Sequence, residues 1–507
     1  MFIIIVNFTP KSEKVKRRQG EIPLSWIALL AIFAFVTIFI SCQKEQINTD
    51  PDAKLGFSQD TVFFDTVFTS LGSITQSFTV HNKTDQILKI ESIRLAGGQS
   101  SFYRINVDGI STFEAFDVEI GANDSMYIFC RVTIDPTDDR NPYVVSDSVV
   151  FETNGNLQDV DLVAWGQNAN YILADSYIPG YPEYKIVAHE NETTVWTADR
   201  PYVIYGFAVV DSTGLLEIER GARIYFHNNS GLWVYKGGTL KAKGTIDKPI
   251  VFQGDRLEDF YKNLAGQWDR IWINEGSVNN EIDYAIIRNG FIGLQLETLQ
   301  EQMGNQLILS NTVIENMSGY GILTRFYNMT AYNNVVVNCG QYLAAFTWGG
   351  IYDIRQCTFA NYWAASVRVT PSIVLNNYAT DANDVVYPFE FQGYFGNNIF
   401  DGRNDDELLL MGDEGAPFNY QFGNCYLKTL QDVSDPGHFT DCLVNEDSLY
   451  IDDYTGNFQP DTLSPLIDAG SAAVISESFF DLGRDIIEST RERILPDIGA
   501  YEFVKPE

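Results

Sequence analysis

A short segment that recurs four times constrains the fold of this chain more than any other feature. Each copy ends in an asparagine, and successive asparagines are 27, 22 and 23 residues apart. A period of this length is typical of solenoids, in which each repeat forms one coil that stacks on the previous one. A leucine-rich repeat is the alternative, but it would need a Leu-x-x-Leu-x-Leu pattern that this sequence lacks. The four copies are Ile286-Ile287-Arg288-Asn289, Val313-Ile314-Glu315-Asn316, Val335-Val336-Val337-Asn338 and Thr358-Phe359-Ala360-Asn361.

The residues around each asparagine predict how a coil is built. The asparagines would lie at turns, because their side chains bind nearby backbone and tolerate left-handed conformations. Upstream, strands of four or five residues between Gly or Asn turns run from Gly214 to Phe252. Strands this short suit the flat faces of a parallel β-helix, which we predict for residues 200–507. An apolar residue two positions before each asparagine would stack inside it: Ile287, Ile314, Val336 and Phe359.

Residues 55–168 show a different pattern. Short runs in which apolar and polar residues alternate with period two are separated by turn pairs such as Gly97-Gly98 and Asn154-Gly155. Several such strands in succession predict a β-sandwich. The segment resembles the immunoglobulin-like domains of bacterial envelope proteins, in which a strand ends in a turn like Asn82-Lys-Thr-Asp85. That resemblance implies a spacer or interaction module. Residues 169–199 have weak periodicity, and we predict a connection there.

Residues 1–42 have the features of an export signal. A basic stretch from Lys11 to Arg18 precedes an apolar run from Leu24 to Ile40, and Ser41-Cys42 follows directly. This order resembles a lipobox, in which Cys42 is acylated and the preceding peptide is removed. An uncleaved transmembrane helix is the alternative, since the 17 residues of the run are near the lower limit for a span. Residues 43–54 are polar, and we predict a flexible tether.

The residues directly after Cys42 add a second resemblance. Gln43, Lys44 and Glu45 are similar to the short polar and acidic tag that directs Bacteroidetes lipoproteins to the cell surface. The resemblance implies a protein that is lipid-anchored to the outer membrane, with outward exposure favoured. The membrane would then be a partner through the anchor alone.

The β-helix region resembles the right-handed β-helix proteins of the pectate-lyase-like superfamily. The turn Gly244-Thr-x-x-x-Pro249-Ile-x-Phe252 and the segment Asn397-Asn-Ile-Phe400 are similar to their coils. Their C-terminal cap resembles three segments here: Ser464-Pro-Leu-Ile-Asp-Ala-Gly470, Asp481-Leu-Gly-Arg484 and Pro496-Asp-Ile-Gly-Ala-Tyr-Glu502. The predicted fold class is therefore all-β, with an N-terminal β-sandwich followed by a right-handed parallel β-helix. The resemblance implies no activity, because the superfamily includes lyases, hydrolases and adhesins.

Charge excludes some classes of partner. The formal net charge is −33, so the surface repels phosphate backbones and nucleic acid is not an expected partner. Polyanionic sugars are repelled for the same reason. The six cysteines show no metal-ligand spacing such as Cys-x-x-Cys, and we expect structural thiols.

One segment, from Gly254 to Trp272, concentrates groups that could carry chemistry. Much of it lacks strand alternation and is predicted to be a loop. Its acids and one arginine are candidates for cleaving a glycosidic bond, and its two indole rings could stack on sugars. The acids could also bind Ca²⁺, but no specific motif supports a metal or cofactor. The alternative is a salt-bridged loop with the rings packed beneath it. The catalytic candidates are Asp255, Glu258, Asp259, Asp269 and Arg270, and the ligand-binding candidates are Trp268 and Trp272.

The sequence favours a non-catalytic envelope lipoprotein whose β-helix binds a glycan or a cell-surface protein. Polygalacturonase-like enzymes carry Asn-Thr-Asp, Gly-His-Gly and Arg-x-Lys elements, none of which occurs in residues 200–507, and the four histidines share no motif. A second acidic segment, Asp401 to Glu407, has no aromatic cluster beside it in the sequence. Two alternatives stay open: a polysaccharide lyase or glycoside hydrolase acting on extracellular glycans, and a structural or adhesive surface protein.

Overall fold

The computed structural model describes residues 46–68, 73, 75–134, 143–258, 260–298, 306–447, 450–453 and 456–505. Helix in these ranges is limited to one 3₁₀ turn, Gly98–Ser100, and one α-helix, α1 (Ala472–Ser476). The chain divides into two compact units, and the second begins at Val163, apart from the short segments 63–74 and 132–146 that also belong to it. Almost all regular structure is strand, which confirms the predicted all-β class.

The strands before the stack form two five-stranded sheets with antiparallel pairing, and most of their residues belong to the first unit. The ten strands are β1 (Gly56–Phe57), β2 (Thr61–Phe68), β3 (Gln76–His81), β4 (Leu88–Leu95), β5 (Tyr103–Val107), β6 (Ile110–Thr112), β7 (Glu114–Ile120), β8 (Ser125–Val132), β9 (Tyr143–Thr153) and β10 (Asn156–Gln167). One sheet has the order β1-β3-β8-β5-β6 and the other β2-β10-β9-β4-β7.

The alternating pattern of these strands explains why the two sheets form a sandwich. Phe78 of one sheet and Phe151 of the other are both buried, and their ring centroids are 6.1 Å apart in an edge-to-face contact. The predicted turn at Asn82 is also present. Its buried side chain donates to the Ile120 carbonyl at 3.0 Å and accepts from the Thr84 backbone N–H at 2.9 Å. The sequence therefore predicted both the sandwich and its stabilising turn.

The second unit is a stack of short parallel strands. Those of its first half are β11 (Asn170–Leu173), β12 (Tyr184–Ala188), β13 (Thr193–Trp196), β14 (Tyr202–Tyr205), β15 (Phe207–Val210), β16 (Leu215–Glu219), β17 (Arg223–Phe226), β18 (Gly231–Val234), β19 (Thr239–Lys243), β20 (Ile250–Gly254), β21 (Arg270–Ile273), β22 (Asn280–Asp283), β23 (Ala285–Arg288), β24 (Ile292–Glu297) and β25 (Leu307–Ser310). Three successive strands make one coil.

The stack continues through the repeats that the sequence revealed. Its remaining strands are β26 (Val313–Glu315), β27 (Tyr320–Tyr332), β28 (Val335–Val337), β29 (Ala344–Arg355), β30 (Thr358–Asn361), β31 (Ile373–Asn376), β32 (Tyr378–Thr380), β33 (Val386–Pro388), β34 (Phe391–Gly396), β35 (Ile399–Gly402), β36 (Leu408–Met411), β37 (Phe418–Gly423), β38 (Tyr426–Leu427), β39 (Phe439–Thr440) and β40 (Leu443–Val444). Strands β32 and β33 form a separate antiparallel hairpin.

The stacked strands form three faces. Face A is the eleven-stranded sheet from β11 to β40, and the seventeen-stranded sheet contains the other two. Face B includes β12, β15, β18, β21 and β24, whereas face C includes β13, β16, β19, β22 and β25. The long strands β27 and β29 contribute to both B and C. The unit is a right-handed parallel β-helix, as predicted.

The interior of the β-helix is a set of apolar rows that run from coil to coil. On face A, Ile287 pairs with Ile314, Ile314 with Val336, and Val336 with Phe359, and all four are at most 1% exposed. These are the residues expected inside from their position two places before the asparagines. The proposed repeat register is therefore confirmed, and burial of these rows supplies the main stabilisation of the stack.

The structure differs from the prediction for residues 169–199. Strands β11, β12 and β13 lie in this range and pair in parallel with β14, β15 and β16. The range predicted to be a connection therefore contains the first coil. Its period-two signal is weak because a turn rich in tyrosine and proline, residues 174–183, separates two of the strands.

The C-terminal segment lies along the outer side of face A. It contains α1 and the antiparallel hairpin of β41 (Tyr450–Asp452) and β42 (Asn457–Pro460). Phe458, Ile486 and Ala500 pack against residues of β28 and β30, and Ile498 packs against Ile399 of β35. The motifs that resemble a C-terminal cap thus make contacts along several coils of one flank.

Candidate functional site

The segment from Gly254 to Trp272 forms an extended turn between two faces. Residues 255–269 separate β20 of face A from β21 of face B, whereas only residues 227–230 separate β17 from β18 in the preceding coil. The enlarged turn confirms the loop that the loss of alternation predicted. Insertions of this kind are where functional groups concentrate on a rigid scaffold.

The predicted catalytic acids in this turn are held by separate cationic or histidine partners. Asp255 is 2.8 Å from His227 Nδ1, Glu258 is 3.2 Å from Arg256 Nε, and Asp269 is 2.7 Å from Arg270 Nη2. Burial raises the pKa of Asp255, and the hydrogen bond to His227 opposes this shift. Asp259 lies outside the described residues. The turn thus matches the salt-bridged alternative more closely than a convergent pair of free carboxylates.

Trp268 lies in the hydrophobic core. Its side chain is 1% exposed, its ring stacks on Phe226 with centroids 4.5 Å apart, and its indole N–H donates to the Arg288 carbonyl at 2.8 Å. Gly290 leaves room for the ring, because a Cβ there would be 2.8 Å from it. Trp268 therefore has no exposed aromatic face, and its predicted ligand contact needs correction.

Trp272 is half-buried on the outer side of face B and belongs to an aromatic stack. Its strand neighbours Ile271 and Ile273 point into the core, so alternation turns the indole outward. Trp233, its register partner on β18, lies parallel to it with ring centroids 4.9 Å apart. Tyr181 covers the other side of Trp233 at 5.6 Å. Three consecutive rings thus form a ladder along the axis of the β-helix.

This ladder forms one wall of a cavity of about 320 Å³, which we call the aromatic groove. Tyr235 extends the wall and meets Trp233 edge-to-face at 5.4 Å. Trp348 lines the opposite end of the groove. A volume in this range is typical of small-molecule sites, and an apolar wall with few polar groups is their usual composition.

A row of polar side chains forms the floor of the aromatic groove. Glu297 accepts from the Trp272 indole N–H at 2.8 Å and from Gln295 Nε2 at 2.6 Å. It also accepts from Arg325, whose guanidinium lies 5.2 Å from the centre of the Trp348 ring. Asn274 accepts from the indole N–H of Trp233. The floor therefore links the two aromatic ends by hydrogen bonds to one carboxylate.

The backbone beside the groove has an uncommon conformation. Phe326 and Trp348 have φ values of 50° and 62°, in the left-handed region that bulky residues rarely adopt. They lie where the register of β27 and β29 shifts, so each long strand bends there from face B to face C. Such outliers cluster at functional sites. Here the bend places Trp348 against the groove.

Sequence reasoning missed most of the groove, although one signal was present. Gly231-Leu-Trp-Val234 and Arg270-Ile-Trp-Ile273 both have tryptophan at the same strand position, and aligning them would have paired the two rings. The His227–Asp255 contact was detectable in the same way, since β17 and β20 are register neighbours. No comparable pattern identifies Tyr181, which lies in an irregular turn, or Trp348, which lies at a bulge.

The described part of the chain contains neither a membrane-spanning helix nor a cluster of metal-binding side chains. No helix there is long and apolar enough to cross a membrane. Among the same residues, no group of three or more His, Cys, Asp or Glu side chains could hold a metal ion. The free thiols Cys130, Cys339, Cys357 and Cys425 are buried, and burial raises the pKa of each.

Comparisons with known proteins place no further constraint on the site. No protein-family model matches the chain, and no curated protein matches it either.

Several solved structures show weak similarity. A PapD-like domain of human CEP192 has a TM-score of 0.17 and 11% identity over 26% of this chain and 97% of its own. A family 123 glycoside hydrolase from Clostridium perfringens has a TM-score of 0.17 and 9% identity over 23% of this chain and 28% of its own. A protein of unknown function from Porphyromonas gingivalis has a TM-score of 0.18 and 11% identity over 26% of this chain and 57% of its own. Similarities this low carry no argument.

Proposed function

We propose that the β-helix binds carbohydrate in the aromatic groove without cleaving it. The observation that carries the proposal is the combination of a ring ladder, Tyr181, Trp233 and Trp272, with a hydrogen-bonding floor centred on Glu297. Sugars present apolar C–H faces and a rim of hydroxyl groups. A wall of aromatic rings beside amide and carboxylate oxygens complements both, and each aromatic contact supplies roughly 1 kcal/mol.

The charges of the groove favour binding over catalysis. Glu297 is engaged by Arg325 and the Trp272 indole, and Glu275 is 2.7 Å from Lys236 Nζ. A general acid or base needs a carboxyl group free to exchange a proton with the substrate, and an inverting or retaining pair needs two at a set separation. Here two carboxylates are paired with two cations, so these four side chains together carry no net charge. A neutral glycan suits it, since the whole chain carries −33.

The proposed setting is the outer membrane of a Gram-negative bacterium, with the chain held by lipid on Cys42. The support is sequence alone: the basic and apolar export signal ending in Ser41-Cys42, and the polar residues after it. In this arrangement the sandwich spaces the β-helix from the membrane, and the partner is a glycan or a protein of the cell surface. Failure of Cys42 to take up an acyl label in a Gram-negative host would contradict the anchor.

Two half-buried rings of the groove give the decisive test of glycan binding. Trp272→Ala and Trp348→Ala should each weaken binding of a neutral glycan, first identified on a glycan array, by about tenfold, which corresponds to about 1.4 kcal/mol. The matched control is Tyr127→Ala, which removes a 60% exposed ring from the sandwich. It should bind like the parent. Calorimetric titration at equal folded concentration measures the affinities.

The same samples separate this proposal from its alternatives. If the two groove variants bind like the parent, the groove is not the glycan site. If the array shows no ligand, a structural or adhesive role is favoured. New reducing ends or unsaturated products from any bound polymer would refute the non-catalytic part, and their loss in Glu297→Gln would make the groove an active site.

A further inference from the structure

A second cavity lies on the outer side of face A, away from the aromatic groove on face B. It has a volume of about 290 Å³ and is lined by residues of four neighbouring coils and of the β41–β42 hairpin. Asp401 of β35 lies at its base, beside Tyr362, which directly follows β30, and Tyr426 of β38. The acidic segment that has no aromatic cluster beside it in the sequence thus has aromatic neighbours in the fold, because adjacent coils supply them.

Asp401 is a buried carboxylate that is only partly neutralised. It is 1% exposed, and one oxygen accepts from the Tyr362 hydroxyl at 2.7 Å. The nearest cation, Lys428 Nζ, is 4.0 Å from the other oxygen, which is beyond hydrogen-bond distance. That ammonium group instead donates to the Gly402 carbonyl at 2.5 Å. Burial raises the pKa of Asp401, the direction expected of a carboxylate in an environment short of positive charge.

Three tyrosine rings enclose this carboxylate. Tyr362 and Tyr450 meet edge-to-face with centroids 6.2 Å apart, and the Tyr426 hydroxyl donates to the Glu446 carbonyl at 2.9 Å. The hydroxyl of Tyr450 is fully buried and faces the Asp401 carboxylate, which acts on it through charge and a hydrogen bond. The cavity is therefore built from aromatic rings around one buried carboxylate.

Negative charge predominates around the cavity. Its lining contains four carboxylates, those of Asp401, Glu446, Asp447 and Asp453, against the single ammonium group of Lys428. The neighbouring tyrosines are affected by this field: burial and then the charge of Asp401 raise the pKa of both Tyr362 and Tyr450. The hydroxyls therefore stay protonated, and the site attracts cations and repels anions.

We propose that this cavity binds an organic ammonium group. Aromatic faces attract an ammonium ion through their quadrupole, by about 0.5 to 2 kcal/mol per ring according to desolvation, and the buried carboxylate supplies the counter-charge. A bare metal ion fits less well, since three of the walls are aromatic rings and metal ions of this charge prefer several oxygen ligands. The site is independent of the aromatic groove, so either could exist without the other.

The test uses a cation and its neutral isostere. Choline should bind the purified full-length chain, and 3,3-dimethyl-1-butanol, in which carbon replaces the charged nitrogen, should bind at least tenfold more weakly. Choline affinity should also fall as salt is added, because the attraction is electrostatic. Equal binding of the two probes, or no binding of any ammonium probe, would overturn the proposal.

Variants then locate the site. Asp401→Asn should weaken choline binding at least tenfold, whereas Asp159→Asn, the same change at an exposed position of the sandwich, should leave it unchanged. Should Asp401→Asn fail to fold, Glu446→Gln at the exposed mouth should weaken binding two- to threefold. Parental affinity in every folded cavity variant would refute the assignment.

The source of the ammonium group is distinguished by the choice of probe. Glucosamine represents an amino sugar, and Nα-acetyl-lysine amide represents a lysine side chain of a protein. Tighter binding of one of them than of choline identifies the natural class of ligand. Glycan binding in the aromatic groove should be unaffected by Asp401→Asn, so failure of this proposal and failure of the groove proposal can be told apart.

Discussion

Asn289, Asn316 and Asn338 have φ values of 66°, 56° and 55°, so each occupies the left-handed region at the end of its strand. Neighbouring coils join through these side chains, since Asn316 Nδ2 donates to Asn289 Oδ1 at 2.7 Å. The sequence predicted this role correctly for three of the four aligned asparagines. Asn361 differs, because it is itself the last residue of β30, and its buried side chain accepts a hydrogen bond from the backbone N–H of Cys339 at 3.1 Å.

The two functions of Asn316 can be separated by a matched pair of substitutions. Asn316→Gly keeps the left-handed backbone and loses only the side-chain hydrogen bonds. Asn316→Ala loses the same bonds, and holding an alanine in the left-handed backbone conformation costs about 1 kcal/mol more. We therefore expect the alanine variant to be the less stable by about this amount in urea denaturation. Equal stabilities would mean that the turn relaxes to another backbone conformation.

At the scale of elements, the sequence predicts which side chains face outward only where a strand keeps its period-two alternation. Trp272 lies within β21, where period two turns it outward, so its position at a surface follows from the sequence. Trp268 lies two residues before that strand, in a turn where the period fails, and it is buried. The rest of the groove joins Tyr181 to Trp348, which lie six coils apart in the stack. Only the three-dimensional register brings them together.

The C-terminal segment is bound to the β-helix through a buried arginine, which its motif alone did not predict. Arg491 is 2% exposed and lies 3.4 Å from Glu502, and it donates to Asn333 Oδ1 at 3.1 Å and to the Ala500 carbonyl at 3.1 Å. Asn333 belongs to the β-helix, so this arginine joins the segment to the stack. Gly499 is required beside it, because its φ is 104° and a Cβ would be 2.4 Å from Ile399.

Removing the charge of Arg491 should detach this element. Arg491→Met would leave the buried carboxylates of Asp485, Asp497 and Glu502 without their cation, a loss of about 3 to 5 kcal/mol for a buried pair. We expect protease cleavage within 456–505 at denaturant concentrations that leave the parent intact. Arg493→Met, at an exposed neighbour, is the control. Identical digestion of both variants would contradict the bridging role.

For the whole molecule, buried carboxyl groups link stability to pH. Burial raises the pKa of seven described carboxyl groups, so the native state holds their protons more tightly than the unfolded chain does. Stability therefore falls as pH rises from about 4, the ordinary carboxyl value, through the raised native values. The groups are Asp255, Asp283, Glu315, Asp401, Asp485, Asp497 and Glu502.

The expected outcome is a melting temperature that increases when pH is lowered from about 8 to about 5 at constant ionic strength. The net charge of −33 acts in the same direction, because protonation reduces self-repulsion. Carboxyl groups with a lowered pKa, such as Glu281, stabilise the folded state at higher pH and stop doing so only below about pH 4. Calorimetric scans across this range measure the effect, and a melting temperature that decreases towards pH 5 would contradict it.

The shortness of the last strands has a consequence for self-association. β39 and β40, which end faces C and A, have two residues each. A stack of parallel strands is a template on which a second chain could continue, as in a growing fibre, and proteins counter this with very short edge strands. Here the final coil offers few unpaired N–H and C=O groups in these two faces. The β-helix thus limits end-to-end polymerisation at the point where its own coils stop.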